Sequence, residues 1–305
     1  MLSAAHPSIS VIIPHLNQAD SLRRCLRSLA EQTNLLKSVE VIVVDNGSRE
    51  LPSWVSSEFE GVTLEQENVA GPGPARNFGV ARSHGEVLAF IDADCIADPN
   101  WLPTIAKYFS GKVACSIIGG DVRIAVSKPS RLTMLEAYES IFAYRQEEYI
   151  TQHGFSGTGN LAATRAAFEA IGPFAGLQFA EDRDWGRRAK SLGYKVEFMP
   201  DMIVYHPARE SLSELFQKWD RHIDHHYLEW SKKRFGGLRW LLRSFLVAVS
   251  PAAEIVRIAL STRVSGFRSR LLAATGMTIT RIYRARQMIS RLFAGSAASK
   301  VTWNR

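Results

Sequence analysis

Cysteine is scarce in this sequence of 305 residues. The three cysteines, Cys25, Cys95 and Cys115, have neither the paired short spacing of a zinc site nor the number needed for a disulfide framework. This scarcity excludes a small disulfide-stabilised secreted domain and favours a reducing compartment. The polar start of the chain leads directly into an apolar run, so we expect no signal peptide.

Long apolar runs are also missing. A membrane-spanning helix needs about 20 predominantly apolar residues, and the apolar C-terminal region is interrupted at Pro251 and Glu254. Acidic residues stop at Glu254, beyond which the chain has ten Lys and Arg but no Asp or Glu. Residues 207–305 hold 18 basic and 6 acidic residues, whereas residues 1–206 hold 19 and 24. The net charge of +7 therefore originates in the C-terminal third.

Walker and dinucleotide-binding glycine motifs are absent as well. What the sequence does contain is a series of short apolar runs, each followed by a polar loop. Residues 9–13, 39–44 and 87–91 are typical of strands buried in a parallel sheet. An amphipathic helix is expected from Asp20 to Gln32, between the first two strands, which indicates a βαβ unit and an α/β fold.

Two carboxylates, Asp92 and Asp94, directly follow the third of these apolar runs. The carboxyl ends of parallel strands form the ligand crevice of an open sheet, and carboxylate oxygens suit Mg²⁺ and Mn²⁺. One interpretation is therefore a divalent cation beside a phosphorylated ligand. The other is a pair of turn aspartates that cap the helix expected after Asp98-Pro99-Asn100.

Other polar positions also allow two interpretations. The turn Gly71–Pro74 feeds a helix and resembles a phosphate cradle, so Arg76 either faces a crevice or is a solvated helix residue. His206 follows a strand-like run, Lys195–Phe198, and a turn expected at Pro200-Asp201. Neutral imidazole is an acceptable ligand for Mn²⁺. His206 is therefore either a metal ligand or a cap on a strand end.

Taken in order, the motifs resemble glycosyltransferase family 2 over about residues 8–207. The segments that carry the resemblance are Ser10–Pro14 with Asn17, Val43–Ser48, Ala75–Asn77 with Gly79, Ile91–Asp94, Gly157–Leu161, Gly172–Phe174, Glu181–Asp182 with Arg187, and Gly193–Tyr194. The resemblance implies a Rossmann-like nucleotide-diphosphosugar transferase (GT-A) fold, with a mostly parallel central sheet flanked by helices. We expect a catalytic domain over residues 1–207, with a donor half to about 120 and an acceptor half beyond it, and a basic helical extension over 208–305.

The resemblance also implies roles for individual residues. The residues expected to bind the nucleotide sugar are Pro14, Asn17, Asp45, Arg76, Asp92 and Asp94. The residues expected at the acceptor are Gly157, Gly159, Asn160 and Glu181. The ligands expected for Mn²⁺ or Mg²⁺ are Asp94, Asp92 and His206, and the expected catalytic base is Asp182. Leu16 stands where the family usually has an aromatic residue, so stacking on the base is missing; a UDP-sugar is the favoured donor, with other nucleotides open.

Elementary chemistry agrees with these roles. A cation neutralises the charge that develops on a departing diphosphate, and an acceptor hydroxyl needs a general base to become a good nucleophile. One base acting in a single in-line displacement predicts inversion at the anomeric carbon. On the residues alone, however, Asp182 also fits an acidic first turn of a helix, and Gly154–Asn160 also fits a flexible connection. A helix over 132–149 either packs in the core or lines an acceptor groove.

The basic C-terminal region has two interpretations: amphipathic helices lying on an anionic bilayer, or a helical cap on the catalytic domain. With the first, the chain is expected to be cytoplasmic, at the inner face of the cell membrane. There it would transfer sugar to a glycan or lipid-linked acceptor in cell-surface polysaccharide or glycoconjugate synthesis. The alternatives are a catalytically degenerate transferase-fold scaffold and a nucleic-acid-binding module. We do not expect nucleic acid as a partner, because the basic residues gather in the apolar tail and not near the crevice.

Overall fold

The computed structural model describes residues 8–33, 38–111, 116–128, 130–177, 180–231 and 234–294. The chain forms two compact units. Within the described residues, the first contains everything up to Arg123 together with Arg145–His206, and the second contains Ile124–Tyr144 and everything from Pro207 onward. Residues 124–144, which we assigned to the acceptor half from the sequence, thus group with the C-terminal helices. The sequence also predicts a strand over residues 113–118; the start of that segment, like Cys115, lies outside the described residues.

An eight-stranded mixed sheet, in the order β3-β2-β1-β4-β7-β6-β8-β5, organises the first unit. The strands are β1 (Ile9–His15), β2 (Val39–Asp45), β3 (Val62–Gln66), β4 (Val87–Ile91), β5 (Ile96–Ala97), β6 (Ile117–Ala125), β7 (Asn160–Thr164) and β8 (Val196–Pro207). Strands β3, β2, β1 and β4 are parallel. Strand β7 is antiparallel to both β4 and β6, and β5 is antiparallel to β8. The expected parallel arrangement is therefore confirmed for the half of the sheet that begins the chain.

The helices are α1 (Ala19–Thr33), α2 (Val55–Glu58), α3 (Pro72–Arg82), α4 (Trp101–Phe109), α5 (Met134–Phe142), α6 (Gln146–Glu148), α7 (Arg165–Ile171), α8 (Glu181–Ser191), α9 (Leu212–Ser231), α10 (Gly236–Val249), α11 (Pro251–Leu260) and α12 (Gly266–Ala294). The single helix expected over 132–149 is instead α5, α6 and a π-helical turn, Tyr149–His153. The expected turn at Pro200-Asp201 was wrong, because β8 continues through both residues. Pro200 is tolerated since β5 pairs with β8 only at Val204 and Tyr205, so no ladder bond to β5 is lost.

The apolar runs form the core of the first unit. All five residues of β4 are buried, and Phe90 packs in a cluster of aromatic rings with Phe168, Phe174 and Trp185. Gly79 allows α3 to approach the sheet, because a Cβ at this position would lie 2.6 Å from Ile12 Cγ2. The tight packing of α3 and α8 on the sheet orients the polar residues at the ends of the strands.

The second unit is helical. One apolar cluster joins α5 to α9, α11 and α12, and another joins α9, α10 and α12. Gly276 of α12 lies directly against Tyr138 of α5, and the buried Trp240 Nε1 donates to the Met288 carbonyl at 2.8 Å. Of the helices in the described ranges, none combines the length and apolar character needed to span a bilayer.

Candidate active site

The loops that follow β1 and β2 are linked by side-chain hydrogen bonds. Asn17 adopts a left-handed conformation (φ 56°). Its backbone N–H donates to Ser48 Oγ at 2.8 Å, and its Oδ1 accepts from the Arg49 N–H at 2.8 Å. Asn is one of the few residues that tolerate this conformation. Asn17 therefore joins two of the loops at the carboxyl edge of the parallel strands, and the half-buried Pro14 lies just before it.

Asp45, at the end of β2, is buried. One carboxylate oxygen lies 2.9 Å from His15 Nδ1, and the other accepts from the Gly47 and Ser48 N–H groups. Burial by itself would raise the pKa of Asp45, but the hydrogen bonds from His15 and Ser48 outweigh burial and hold the pKa below its ordinary value. Only 2% of Asp45 is exposed. In this structure its carboxylate is therefore not accessible for the direct contact with a nucleoside base that we expect from the motifs. In this structure Asp45 shapes the loop.

Asn46 holds the next loop in place, and sequence reasoning missed it. Its Nδ2 donates to the carbonyls of Glu67 and Val69 at 2.9 and 2.8 Å, and its Oδ1 accepts from the Gly71 N–H at 2.7 Å. Gly71 precedes α3 with φ 129°, a conformation that only glycine adopts readily. The sequence pattern that could have identified Asn46 is an amide side chain directly after Asp45, the acid that ends β2.

Arg76, in α3, connects two loops of the first unit. Its Nη2 donates to Asp92 Oδ1 at 2.6 Å and its Nη1 to Glu181 Oε1 at 3.1 Å. Burial alone would lower the pKa of this guanidinium, but the two carboxylates outweigh burial and raise it. Arg76 is only 3% exposed, which rules out the solvated-helix interpretation. Its buried Nε–H has no hydrogen-bond partner among the described residues.

Asp92 is tightly enclosed on one side. A Cβ added to Gly159 would lie 2.5 Å from Asp92 Oδ2, so the loop before β7 passes directly over this carboxylate. Arg76 holds the opposite oxygen, and the Asp92 side chain remains 37% exposed. Neither Asp92 nor Asp94 caps α4, whose start is instead stabilised by Asp98 Oδ1 accepting from the Asn100 N–H at 3.0 Å. The helix-capping interpretation of the two aspartates is therefore wrong.

We expect Gly159→Ala to impair binding of the nucleotide sugar expected at Asp92 without unfolding the protein. The new methyl group must displace the Asp92 carboxylate, and misplacement by about 1 Å costs up to roughly 100-fold in activity. Donor affinity and turnover should fall while the melting temperature changes little. Gly176→Ala is the matched control, because a Cβ there meets nothing within 4 Å. Equal donor affinity in the two variants would contradict the prediction.

Asp94 and His206 form the second pair at this edge. The His206 Nε2 lies 3.3 Å from Asp94 Oδ2. Burial would raise the pKa of Asp94, but the hydrogen bond and charge of His206 outweigh burial and lower it. Adjacent ligands of an octahedral Mg²⁺ or Mn²⁺ at about 2.1 Å are separated by roughly 3 Å, so the pair fits the edge of such a shell. In the part of the chain that the structure describes, no cluster of three or more acidic, His or Cys side chains suited to a metal is present.

The first turn of α8 carries Glu181 and Asp182. Glu181 accepts a hydrogen bond from Arg76, whereas Asp182 Oδ1 accepts one from the N–H of Arg183 at 2.7 Å. Burial and the neighbouring charge of Glu181 raise the pKa of Asp182 to about 6. A carboxylate with a raised pKa is a stronger base and is still mostly ionised at neutral pH. Glu181 and Asp182 therefore differ in their partners, since Arg76 donates to Glu181 and the Arg183 N–H to Asp182.

Two of the expected acceptor residues have structural partners. The Asn160 side chain is fully buried, donating to the Asp121 and Met202 carbonyls at 2.8 Å each and accepting from Trp101 Nε1 at 2.8 Å. All its polar atoms are used, so no part of the side chain is left to meet an acceptor. The Gly157 N–H donates to Gln146 Oε1 at 3.0 Å. These bonds fix the loop that presents Gly159 to Asp92.

Another pair of residues missed from the sequence holds α3 against the loop before α8. Asn77 Oδ1 accepts from the Phe174 N–H at 2.8 Å, and its Nδ2 donates to the Phe174 carbonyl at 2.9 Å. Arg188 of α8 donates to the carbonyls of Ile171 and Pro173, each at 2.6 Å. These bonds help to bring Arg76 within reach of Glu181.

Comparison with known proteins agrees with this architecture. The mannosyltransferase PcManGT from Pyrobaculum calidifontis, solved with GDP-Man and Mn²⁺, superposes with a TM-score of 0.55 at 17% identity, covering 94% of this chain and 87% of that one. S. aureus TarS 1–349, solved with UDP-GlcNAc, gives 0.52 at 14% identity, covering 94% and 92%. This likeness shows that the chain has the GT-A fold, with a parallel half-sheet continued by antiparallel strands.

Sequence comparison identifies the family. The profile of glycosyl transferase family 2 matches residues 10–172. Glycosyltransferase AglE of Haloferax volcanii is 30% identical over 294 residues, covering 94% of this chain and 92% of that protein. The putative glycosyltransferase EpsH of Bacillus subtilis is 32% identical over 231 residues, covering 71% and 65%. The chain therefore belongs to glycosyl transferase family 2 and is a glycosyltransferase.

Proposed function

We propose that this enzyme transfers a sugar from a nucleotide-diphosphate donor to a hydroxyl group of a glycan or lipid-linked acceptor, with inversion at the anomeric carbon. The observation that carries the proposal is the bridge made by Arg76. One guanidinium contacts Asp92 after β4 and Glu181 at the start of α8. The Arg76 guanidinium therefore contacts one residue expected on the donor side and one expected on the acceptor side.

The acceptor side supplies the base. Asp182 follows Glu181, and its raised pKa, about 6, suits it to take a proton from an acceptor hydroxyl. Glu181 is restrained by Arg76 and is positioned to orient that hydroxyl. With one base and no second carboxylate assigned as a nucleophile, a single displacement gives the inverted product.

Asp94 and His206 are the residues that would hold Mn²⁺ or Mg²⁺, with Asp92 nearby. Mg²⁺ usually binds through one or two protein ligands and completes its shell with water and substrate phosphate oxygens, which agrees with a pair separated by 3.3 Å. The ion would supply a Lewis acid that stabilises charge on the departing diphosphate.

A panel of sugar nucleotides tests the proposal. UDP-sugars are the donors favoured by the resemblance of the motifs, and GDP-sugars are tested beside them because the compared structures hold UDP-GlcNAc and GDP-Man. We expect slow hydrolysis of one donor that stops with EDTA and returns with Mn²⁺ or Mg²⁺. In His206→Ala the metal concentration needed for half-maximal rate should rise at least tenfold, whereas His84→Ala, at an exposed histidine, should leave it unchanged. Failure of every donor to bind or turn over would favour a degenerate scaffold.

The second unit supports membrane contact. The exposed apolar residues of α10 recur at helical spacing and form one stripe: Leu238, Leu241, Leu242, Phe245, Leu246 and Val249. The opposite face of α10 packs through Trp240 and Val247. Further large apolar side chains are exposed on α11 and α12, among them Leu260 and Phe267 at 76% and 82%. Exposed arginines such as Arg239 and Arg257 accompany them, the composition expected for a helix on an anionic bilayer.

Vesicle flotation tests this contact. We expect the protein to float with vesicles of phosphatidylcholine and phosphatidylglycerol but weakly with phosphatidylcholine alone. Leu238→Ser with Phe245→Ser should weaken binding by roughly tenfold per residue. Burying each of these apolar side chains in the bilayer contributes about 1.5 kcal/mol or more to the free energy of binding. Leu192→Ser, at an exposed leucine of the first unit, is the control. Indifference to phosphatidylglycerol and to the double substitution would support a purely structural role.

A further inference from the structure

Three side-chain rings gather in the segment between α6 and β7. The Tyr149 and Phe155 rings are stacked almost in parallel, with their centres 5.4 Å apart and an angle of 8° between their planes. The His153 ring stacks less closely on Phe155, with the two centres 6.4 Å apart. We refer to Tyr149, His153 and Phe155 as the ring cluster.

The backbone around the ring cluster is well defined. The π-helical turn Tyr149–His153 ends at Gly154, which adopts a left-handed conformation (φ 74°) and donates its N–H to the Ile150 carbonyl at 3.1 Å. Ile150 anchors the turn to the sheet, because a Cβ at Gly119 of β6 would lie 2.6 Å from Ile150 Cδ1. Such π-helical turns are rare and frequently occur at functional sites.

The rings remain accessible beside this anchor. Ile150 is 5% exposed, whereas Tyr149 and Phe155 are partly exposed and His153 is exposed. Parallel rings in contact are about 3.5 Å apart in the perpendicular direction, so a stack with centres 5.4 Å apart is strongly offset. Each of the two rings therefore leaves part of the other ring's face uncovered.

The ring cluster lies against the helix that carries the expected base. Gly186 follows Asp182 by one turn and lies on the same face of α8. A Cβ at Gly186 would lie 2.3 Å from Phe155 Cβ, so the backbone of α8 is in direct contact with this residue. Because an α-helix rises 1.5 Å per residue, Gly186 is about 6 Å from Asp182 along the axis. This separation is close to the width of one sugar ring.

The order of contacts along α8 suits an acceptor at the ring cluster. Glu181 is linked through Arg76 to Asp92 on the expected donor side, and Gly186 contacts the ring cluster. Along the axis, Asp182 lies between them. This order fits an in-line displacement, in which the attacking hydroxyl and the leaving group lie on opposite sides of the anomeric carbon.

Arg183 adds hydrogen-bond donors at the border of the ring cluster. It directly follows Asp182, is exposed, and has its Cζ 6.0 Å from the centre of the Phe155 ring. A sugar presents C–H groups on one face of its ring and hydroxyl groups around the rim. The C–H face packs on the electron-rich face of an aromatic ring, and the hydroxyl oxygens accept from a guanidinium. A hydrocarbon chain offers no acceptors to such donors.

We propose that the ring cluster and Arg183 bind the terminal sugar of a glycan acceptor and present its hydroxyl group to Asp182. The acceptor is accordingly a sugar, free or carried on a lipid, and not the phosphate or hydroxyl group of a bare lipid. The role of this sugar in transfer rests on the proposed function; the binding of a sugar ring does not.

Saturation-transfer-difference NMR on the full chain tests sugar binding directly. The probes are the methyl glycosides of glucose, galactose, mannose and N-acetylglucosamine, with UDP, GDP and Mn²⁺ added to fill the donor site. We expect saturation transfer to the ring C–H protons of at least one glycoside. Phe155→Leu and Tyr149→Leu keep an apolar side chain without an aromatic face, and each should weaken binding by about three- to tenfold.

Matched variants separate stacking from misfolding. Tyr149→Phe and Phe155→Tyr keep the rings and should retain binding. Phe59→Leu removes a partly buried ring that pairs with Trp54 elsewhere in the first unit, and it should leave binding unchanged. With a donor that turns over, the KM for the glycoside should rise in Phe155→Leu, while kcat and the KM for the donor stay as in the wild type.

Each contrary result identifies what is wrong. Absence of saturation transfer from every glycoside, or equal losses in Phe155→Leu and Phe59→Leu, overturns the sugar site. A parallel loss of UDP or GDP affinity in Phe155→Leu assigns the rings to the nucleotide and also overturns it, as does transfer to octyl phosphate that Phe155→Leu leaves unaffected. Donor hydrolysis without glycoside binding overturns the sugar site alone. Glycoside binding that Phe155→Leu weakens, without turnover of any donor, overturns the transferase proposal alone.

Discussion

Replacing Asp182 by Asn is expected to lower the rate of sugar transfer by roughly 10²–10⁴-fold, the usual contribution of a positioned general base. The amide is isosteric but cannot take a proton from the acceptor hydroxyl. Donor affinity should stay within about twofold of the wild type, because Asp182 accepts a hydrogen bond from the Arg183 N–H, whereas the Arg76 bridge is made by Asp92 and Glu181. Single-turnover transfer and donor titration together measure the two effects.

The pH dependence of the wild-type enzyme provides an independent check. Asp182 must be deprotonated to act as a base, and its pKa is raised to about 6 by burial and Glu181. The rate should therefore fall as the pH drops through about 6, whereas a carboxylate of ordinary pKa would keep its activity to about pH 4. The Asn variant should lose this limb of the profile.

Asp184→Asn is the matched control for Asp182→Asn. It removes the same charge from the same turn of α8, and Asp184 makes a partly exposed ion pair with Arg188 at 3.0 Å. The loss of such a pair costs about 1 kcal/mol or less. Normal turnover by Asp182→Asn, or an equal loss in both variants, would remove Asp182 as the base.

Arg76→Met is expected to destabilise the first unit and abolish donor turnover. The substitution keeps much of the buried side-chain volume but leaves Asp92 and Glu181 facing each other without the cation that pairs them. Removing one partner of a buried ion pair costs about 3–5 kcal/mol. Because the Asp92 and Glu181 side chains are 37% and 22% exposed, we expect a loss at the lower end, about 3 kcal/mol. Urea unfolding measures the loss.

Arg82→Met is the control for Arg76→Met. Arg82 lies on the same helix, is exposed, and contacts the Phe78 ring with its guanidinium 5.0 Å from the ring centre. Its removal should change the free energy of unfolding by about 0.5 kcal/mol or less. Similar stabilities of the two variants would show that the Arg76 bridge does not stabilise the fold.

Much of the donor half could be predicted from the sequence. The five residues of β4 are expected with the bounds that the structure has, and α4 begins directly after Asp98-Pro99-Asn100, where a helix is expected. The apolar runs of β1 and β2 and the glycine before α3 are local signals, and the carboxyl-end rule then puts Asp92 and Asp94 at the ligand edge. The antiparallel half was less predictable, since β7 and β8 carry no pattern that reveals their partners.

The structure also revises how individual residues act. Asp45 and Asn160 are polar residues in the expected motifs, and both are buried with their polar atoms bonded inside the protein. Their order along the chain gave no indication of this, because burial depends on the segments that pack above them. Asn46 and Asn77 were missed for the same reason: an amide becomes informative only when the carbonyls that it meets are known.

Local sequence patterns are sufficient to predict the class of fold, the edge of the sheet where the acids collect and the concentration of positive charge in the C-terminal third. These properties depend on periodicity, turn chemistry and composition, which act over a few neighbouring residues. The folded structure is needed to show that Arg76 contacts both Asp92 and Glu181, the latter 105 positions from Arg76 along the chain, and that the apolar stripe of α10 is exposed. Contacts at such separations depend on strand order and helix packing, and the same amphipathic pattern is compatible with either a buried or an uncovered face.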